Sequence, residues 1–186
     1  MKNSLIKKSG KEELITEYSE ACEYKEYFKK VKWGSRNSML NRFRLAGKII
    51  DWNQVHRWLD AGCGTGQLFD IISEKYQGFQ EVTGIDITPE MVRFAQDRQY
   101  RFPIRFIESD ISALPEQINN LDLITLIGVL QKCGHRPETI LKSCSSLLRK
   151  GGQLFLTTKN INWKKFRNGE LKPEKNHSWF SYSDIR

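Results

Sequence analysis

Between Val55 and Thr157, five short apolar runs alternate with helical repeats, and this alternation restricts the chain to very few folds. The runs are Val55 to Asp60, Glu81 to Ile85, Ile104 to Ile107, Leu121 to Leu126 and Gln153 to Thr157. A helix over Gln67 to Tyr76 presents Leu68, Phe69, Ile71 and Ile72. A second starts with Thr88 as cap and Pro89 at its first position, buries Met91, Val92 and Ala95, and fades near Tyr100. A third, Pro137 to Leu148, lines up Ile140, Leu141, Cys144, Leu147 and Leu148 and stops at Lys150-Gly151-Gly152. Strands alternating with helices give a parallel sheet covered on both faces. The expected architecture is α/β: a doubly wound, mainly parallel sheet with helices on both faces, joined by right-handed crossovers.

The first strand runs into Leu59 to Gln67, LDAGCGTGQ, with glycines at Gly62, Gly64 and Gly66. A strand, a glycine turn and a helix in that order let a ligand lie against bare backbone. The spacing fails the dinucleotide pattern at its third glycine, and no lysine follows to make a P-loop. Asp60 at the mouth of the turn would repel a pyrophosphate but suits a ligand carrying ammonium and sulfonium charge. The second strand ends in Asp86, placed to accept both hydroxyl protons of a ribose.

The flanks differ from this core. Residues 1–48 carry 12 Lys and Arg against 6 Asp and Glu, whereas residues 49–160 carry 12 against 13, so the net charge of +8 belongs to the flanks. Such flanks suit an acidic or phosphate-bearing partner, RNA included, or simply keep the chain soluble. Residues 1–10 are expected to be a disordered tail, and 11–50 to form helices that could close over the core at 51–159. In that leading segment Leu14, Ile15, Tyr18, Cys22, Tyr24, Tyr27 and Phe28 recur from Glu12 to Lys30 at helical spacing, before a break at Trp33-Gly34-Ser35. A following helix to Ile50 buries Leu40, Phe43, Gly47 and Ile50. Segment 160–186 is polar and aromatic and ends in a cap-like Ser181-Tyr182-Ser183-Asp184. Cys22, Cys63, Cys133 and Cys144 form no CxxC pair and no metal-ligand spacing with the histidines, so no metal site is expected. With no apolar run of the roughly 18 residues that a membrane span needs, and no secretory signal at the start, the expected location is cytoplasmic.

Five ordered blocks, LDAGCGTG, GIDITPEMV, ESDISALP, LDLITLIGVLQ and LLRKGGQLFLTT, resemble the successive motifs of class I S-adenosylmethionine-dependent methyltransferases. The resemblance covers roughly Val55 to Lys159 and implies a Rossmann-like fold with S-adenosyl-L-methionine as cofactor and S-adenosyl-L-homocysteine as product. Carried over, it implies that Asp60, Ala61, Gly62, Cys63, Gly64 and Gly66 line the methionine moiety and ribose edge. Asp86 would hold the ribose hydroxyls, Ile87 and Met91 would pack on adenine, and Asp110 would accept from the adenine amino group beside Ile111. Ile127, Gly128 and Gln131 would lie near the methyl group. The plainer alternatives are a turn-capping role for Asp110 and simple core packing for Ile127 and Met91. By analogy, Arg36 or Arg42 would pair with the cofactor carboxylate.

Methyl transfer is a displacement for which alignment supplies much of the effect, and a base is needed only if the acceptor must lose a proton. His135, in the loop after the fourth strand, is the candidate base; a solvent-facing loop histidine is the alternative. Tyr18, Tyr24, Tyr27 and His177 are candidates for an acceptor pocket, or the tyrosines are the buried stripe of a helix. The fourth-strand block reads Asp122-Leu-Ile-Thr, unlike the signature of amino-methylating nucleic-acid enzymes, and no Pro-Cys nucleophile or carboxylate metal cluster is present. The resemblance therefore favours a hydroxyl or amine of a small molecule as acceptor. An RNA or protein methyltransferase using the basic flanks, or a non-catalytic cofactor-binding domain, are the alternatives. The family usually adds further strands after the fifth, so this chain is expected either to be truncated or to cover the edge at Leu154, Phe155 and Leu156 by self-association.

Overall fold

The computed structural model describes residues 10–115, 117–132, 137–170, 172 and 180. Five strands, β1 (Arg57–Ala61), β2 (Glu81–Asp86), β3 (Arg105–Glu108), β4 (Leu121–Ile127) and β5 (Leu148–Thr157), form one parallel sheet in the order β3-β2-β1-β4-β5. The helices in chain order are α1 (Gly10–Ala21), α2 (Tyr27–Lys30), α3 (Arg36–Ile49), α4 (Gln67–Ser73), α5 (Pro89–Gln96), α6 (Pro137–Leu147) and α7 (Lys164–Arg167). The strand order reverses between β1 and β4, and in such sheets ligands bind at the carboxyl ends of the strands beside that switch point.

Alternation along the strands builds two cores. Trp58 and Leu123 face one side, where they meet Met39, Phe43 and Ala46 of α3 and Leu68, Phe69 and Ile72 of α4. Leu59, Ile124 and Leu126 face the other, against Ile140, Cys144 and Leu147 of α6. Every residue of β4 is buried, in keeping with a run that is apolar but for two residues. Asp122 and Thr125 are its polar residues; Asp122 Oδ2 accepts from the amides of His56 and Arg57, both at 2.7 Å, while Arg149 Nε bonds Oδ1. Burial pushes that carboxyl up, but Arg149 and the two amides outweigh it and hold it below its ordinary range.

Three expectations are corrected. The leading repeat is two helices, not one. Lys30 Nζ bonds the carbonyl oxygen of Cys22 at the end of α1, a cation on the carbonyl end of a helix, and the chain turns back there. Tyr24 and Tyr27 are consequently exposed at 53% and 48%, not part of a buried stripe. On α3, Phe43 and, at the C-cap, Ile50 are buried as expected, but the face is completed by Met39 and Ala46, with Leu40 and Gly47 only partly covered. Finally, Lys150-Gly151-Gly152 is not a helix stop: α6 ends at Leu147, Leu148 already pairs with Leu121, and the glycines form a bulge before Gln153 pairs with Leu123. β5 is the edge of the described sheet, and just past its end Asn160 forms an isolated parallel bridge with Phe180, which is buried at 6%. Most of segment 160–186 from residue 171 on lies outside the described residues, as do residues 1–9.

Candidate active site

A cavity of about 390 Å³ opens at the carboxyl ends of the strands, within the size range of small-molecule sites. Each neighbouring loop contributes. Gly62 and Gly64 come from the turn after β1, Asp86, Ile87, Thr88 and Met91 from the end of β2 into α5, and Asp110 and Ile111 from the loop after β3. Ile127, Gly128, Val129 and Lys132 follow β4. Gly10, Lys11, Leu14 and Tyr18 of α1, with Val31 and Trp33, close the remaining side.

The turn is held by β2. Amides of Gly62 and Cys63 donate to Ile85 O at 2.7 and 2.9 Å, and the Gly64 amide donates to Asp86 Oδ2 at 2.9 Å. Gly62 and Gly64 have φ of 82° and 53°, so a side chain there is strained; a Cβ at Gly62 would also stand 2.4 Å from Val129. Asp86 Oδ1 takes the Thr88 amide at 3.0 Å, which fixes the start of α5. Thr88 is the cap residue as expected, but the capping acceptor is the Asp86 carboxylate and not the threonine side chain. Burial raises the Asp86 pKa, and the amides of Thr88 and Gly64 restrain the rise. Cys63 is buried, and burial with the nearby Asp86 and Asp60 keeps it a thiol.

Asp60 is placed differently from Asp86. It is buried beneath the turn, outside the cavity wall, because the parallel register sets it opposite Thr125. Thr125 Oγ1 donates to Asp60 Oδ1 at 2.5 Å and accepts from Trp58 Nε1 at 3.0 Å. Burial lifts its pKa to about 7, opposed by the Thr125 bond and reinforced by Asp86. The folded chain thus keeps a proton that the unfolded chain releases near 3.8. Stability from this group is complete below that value and is lost as pH rises through about 7, on the order of 4 kcal/mol in all. Asp60→Asn is expected to shrink the fall in urea midpoint between mildly acidic and mildly alkaline buffer; an unchanged fall would place the titration elsewhere.

Asp110 both lines the cavity and caps its own turn. Its Oδ1 accepts from the amide and hydroxyl of Ser112 at 2.9 and 2.8 Å, and Lys11 Nζ stands 3.1 Å from Oδ2. Burial raises this carboxyl, but the Ser112 and Lys11 interactions prevail and lower it. Gln131 points away from the cavity, donating to Gly128 O at 2.9 Å and accepting from Thr158 at 3.3 Å, so it braces the Gly128 loop. Gly66, the N-cap residue of α4, and Ala61 also lie behind the wall. Arg42 stacks on the Trp33 ring at 4.5 Å and is partly desolvated, while Arg36 is exposed. His135 and His177 lie outside the described residues. Lys11, Leu14, Val31, Trp33, Val129 and Lys132 were not singled out by sequence reasoning. The available signal was the spacing of Gly10, Leu14 and Tyr18, one helical face whose inward side was ambiguous.

Residues 59–156 match the methyltransferase domain family, over half of the chain. The chain belongs to that family. Among curated relatives, the ubiquinone biosynthesis O-methyltransferase of Coxiella burnetii is 31% identical over 110 residues, covering 58% of this methyltransferase-family chain and 45% of the relative. That of Xanthomonas campestris is 37% identical over 112 residues, covering 56% and 43%. The chain therefore spans less than half the length of these relatives. A solved magnesium protoporphyrin IX methyltransferase from Synechocystis, with SAM bound, shares the fold at a TM-score of 0.64 and 16% identity, over 98% of this chain and 85% of that one. Family members use S-adenosylmethionine. No helix of the described residues is long and apolar enough to cross a membrane.

Proposed function

We propose that the cavity binds S-adenosylmethionine and that the chain directs its methyl group to a hydroxyl of a small molecule. The carrying observation is the Asp86 carboxylate, fixed by two amides at the end of β2 and facing the cavity beside bare Gly62 and Gly64. These residues fit the cofactor: two positive-φ glycines admit it against backbone, and Asp86 has acceptor capacity for ribose hydroxyls. Ile87, Met91 and Ile111 offer apolar surface for the base, and Asp110 an acceptor for its amino group. Asp110 now faces Lys11, so binding of the base involves a rearrangement of that ion pair. Asp60, buried below the turn and outside the cavity wall, braces the strands through Thr125 rather than touching the ligand. The chemistry supplied by the bound cofactor is a methyl group on cationic sulfur, which ends as a neutral thioether while the acceptor oxygen gains the methyl and loses its proton. The chain's own part is alignment and exclusion of water, with α1 covering the cavity. The relatives' names, which specify O-methylation, support oxygen over nitrogen. Incubation with methyl-labelled cofactor and a panel of hydroxylated aromatics and amines is expected to label hydroxyl compounds. Label confined to amines would reverse the oxygen assignment, and cofactor binding without any product would favour a non-catalytic domain.

A further inference from the structure

We propose that the outer face of α3 docks on an anionic lipid surface, with Leu45 and Ile49 entering the headgroup boundary and Arg44 and Lys48 meeting lipid phosphates. The inference goes beyond methyl transfer and stands apart from it. The inner face of α3, Met39, Phe43 and Ala46, is taken up by the core. Helical spacing then turns Asn41, Arg44, Leu45, Lys48 and Ile49 outward, and each of them is exposed. Leu45 and Ile49, four residues apart, are exposed at 45% and 63% and form one apolar ridge. Arg44 and Lys48, also four apart, form a row of charge beside it.

Charge selects the occupant. The 14 residues of α3 hold the cations Arg36, Arg42, Arg44 and Lys48 and no carboxylate. Arg42 stacks on Trp33, and none of the ion pairs among the described residues involves the other three. Their placement weakens the helix itself. Arg36 stands in the first turn, where the macrodipole disfavours a cation, and Arg44 and Lys48 repel each other across one turn. An anionic surface relieves that repulsion. A second copy of the chain would instead set cations against cations. An acidic protein would answer the charge, but a convex ridge gives a folded partner little to enclose, whereas aliphatic side chains sink into a fluid headgroup boundary. The stems of Arg44 and Lys48 can lie along that boundary while their charged ends stay at the phosphates. At 14 residues, about 21 Å, α3 is too short to cross a hydrocarbon core of roughly 30 Å and lies in the plane of the surface.

The test is sedimentation of the full chain with vesicles of phosphatidylglycerol and phosphatidylcholine in equal parts, against phosphatidylcholine alone. Binding is expected with the anionic vesicles only, weakening about tenfold or more as salt rises from about 0.05 to about 0.5 M. Arg44→Gln with Lys48→Gln is expected to lower partitioning about 30-fold, near fivefold for each cation at an anionic surface. Leu45→Gln with Ile49→Gln, which leaves the charge unchanged, is expected to lower it about tenfold or more. Lys142 and Lys150, exposed on α6 and β5, supply the control. Replacing both by Gln removes the same charge and is expected to leave partitioning within about threefold. Circular dichroism reads the folding of each variant. Absent binding to anionic vesicles, equal binding to neutral ones, full binding by the Leu45 and Ile49 variant, or an equal loss in the Lys142 and Lys150 variant overturns the proposal. An acidic peptide or an RNA held through Arg44 and Lys48, with vesicles left unbound, overturns it as well.

Discussion

Asp86→Ala is expected to lower the affinity for S-adenosylhomocysteine by about 100-fold, through loss of charge-assisted hydrogen bonds worth roughly 1.5–3 kcal/mol each. The carboxylate is raised by burial yet anchored by the amides of Gly64 and Thr88. It therefore stands ready at the cavity without side-chain reorganisation, which is the source of the large effect. The same two bonds shape the turn, so alanine also loosens the local backbone. Asp86→Asn separates the contributions, since its amide oxygen retains an acceptor while the charge is gone; an intermediate affinity is expected. Calorimetry with circular dichroism as the folding control reads both variants. An Asp86→Ala chain that binds within about threefold of the original would remove Asp86 from the site.

The second large effect is on stability. Gly66→Ala is expected to cost about 2–4 kcal/mol, combining a left-handed backbone with a steric conflict. Gly66 has a φ of 76°, and a Cβ there would stand 2.1 Å from Tyr100 Oη, which itself donates to Ala95 O at 2.8 Å. Removing that oxygen with Tyr100→Phe forfeits the bond to Ala95 but relieves the alanine. The double variant is expected to show favourable coupling of at least about 1 kcal/mol in denaturant melts. Strict additivity would mean that the conflict with Tyr100 is relaxed elsewhere. Because Gly66 lies behind the cavity wall, its effect on ligand affinity at saturating stability is expected to be small.

The contrast between these two residues shows where sequence reasoning reached and where it stopped. The parallel sheet was legible because strands alternate with helices, and β4, buried along its whole length, is apolar but for Asp122 and Thr125. Asp86 was legible because its place at the end of a strand, one crossover beyond a glycine turn, follows from topology alone. The role of Asp60 was not, because its partner Thr125 is 65 residues away and meets it only through strand register. Likewise, Tyr18 and Lys132 are 114 residues apart, and nothing local marks them as neighbours. The helical spacing from Glu12 to Lys30 misled for a similar reason: the Lys30 bond to Cys22 O that turns the chain is tertiary, and periodicity carries no record of it. The glycines at Gly151 and Gly152 were read locally as a helix stop, whereas pairing of Leu148 with Leu121 makes them a bulge.

The most direct measurement of cofactor binding at this cavity is a crystal structure of the chain with S-adenosylhomocysteine. The expected complex has both ribose hydroxyls on Asp86, the adenine amino group toward Asp110, and the sulfur on the Gly128 side, facing Lys132. A ligand bound elsewhere, or one that leaves the Asp86 carboxylate without a ribose contact, would contradict it.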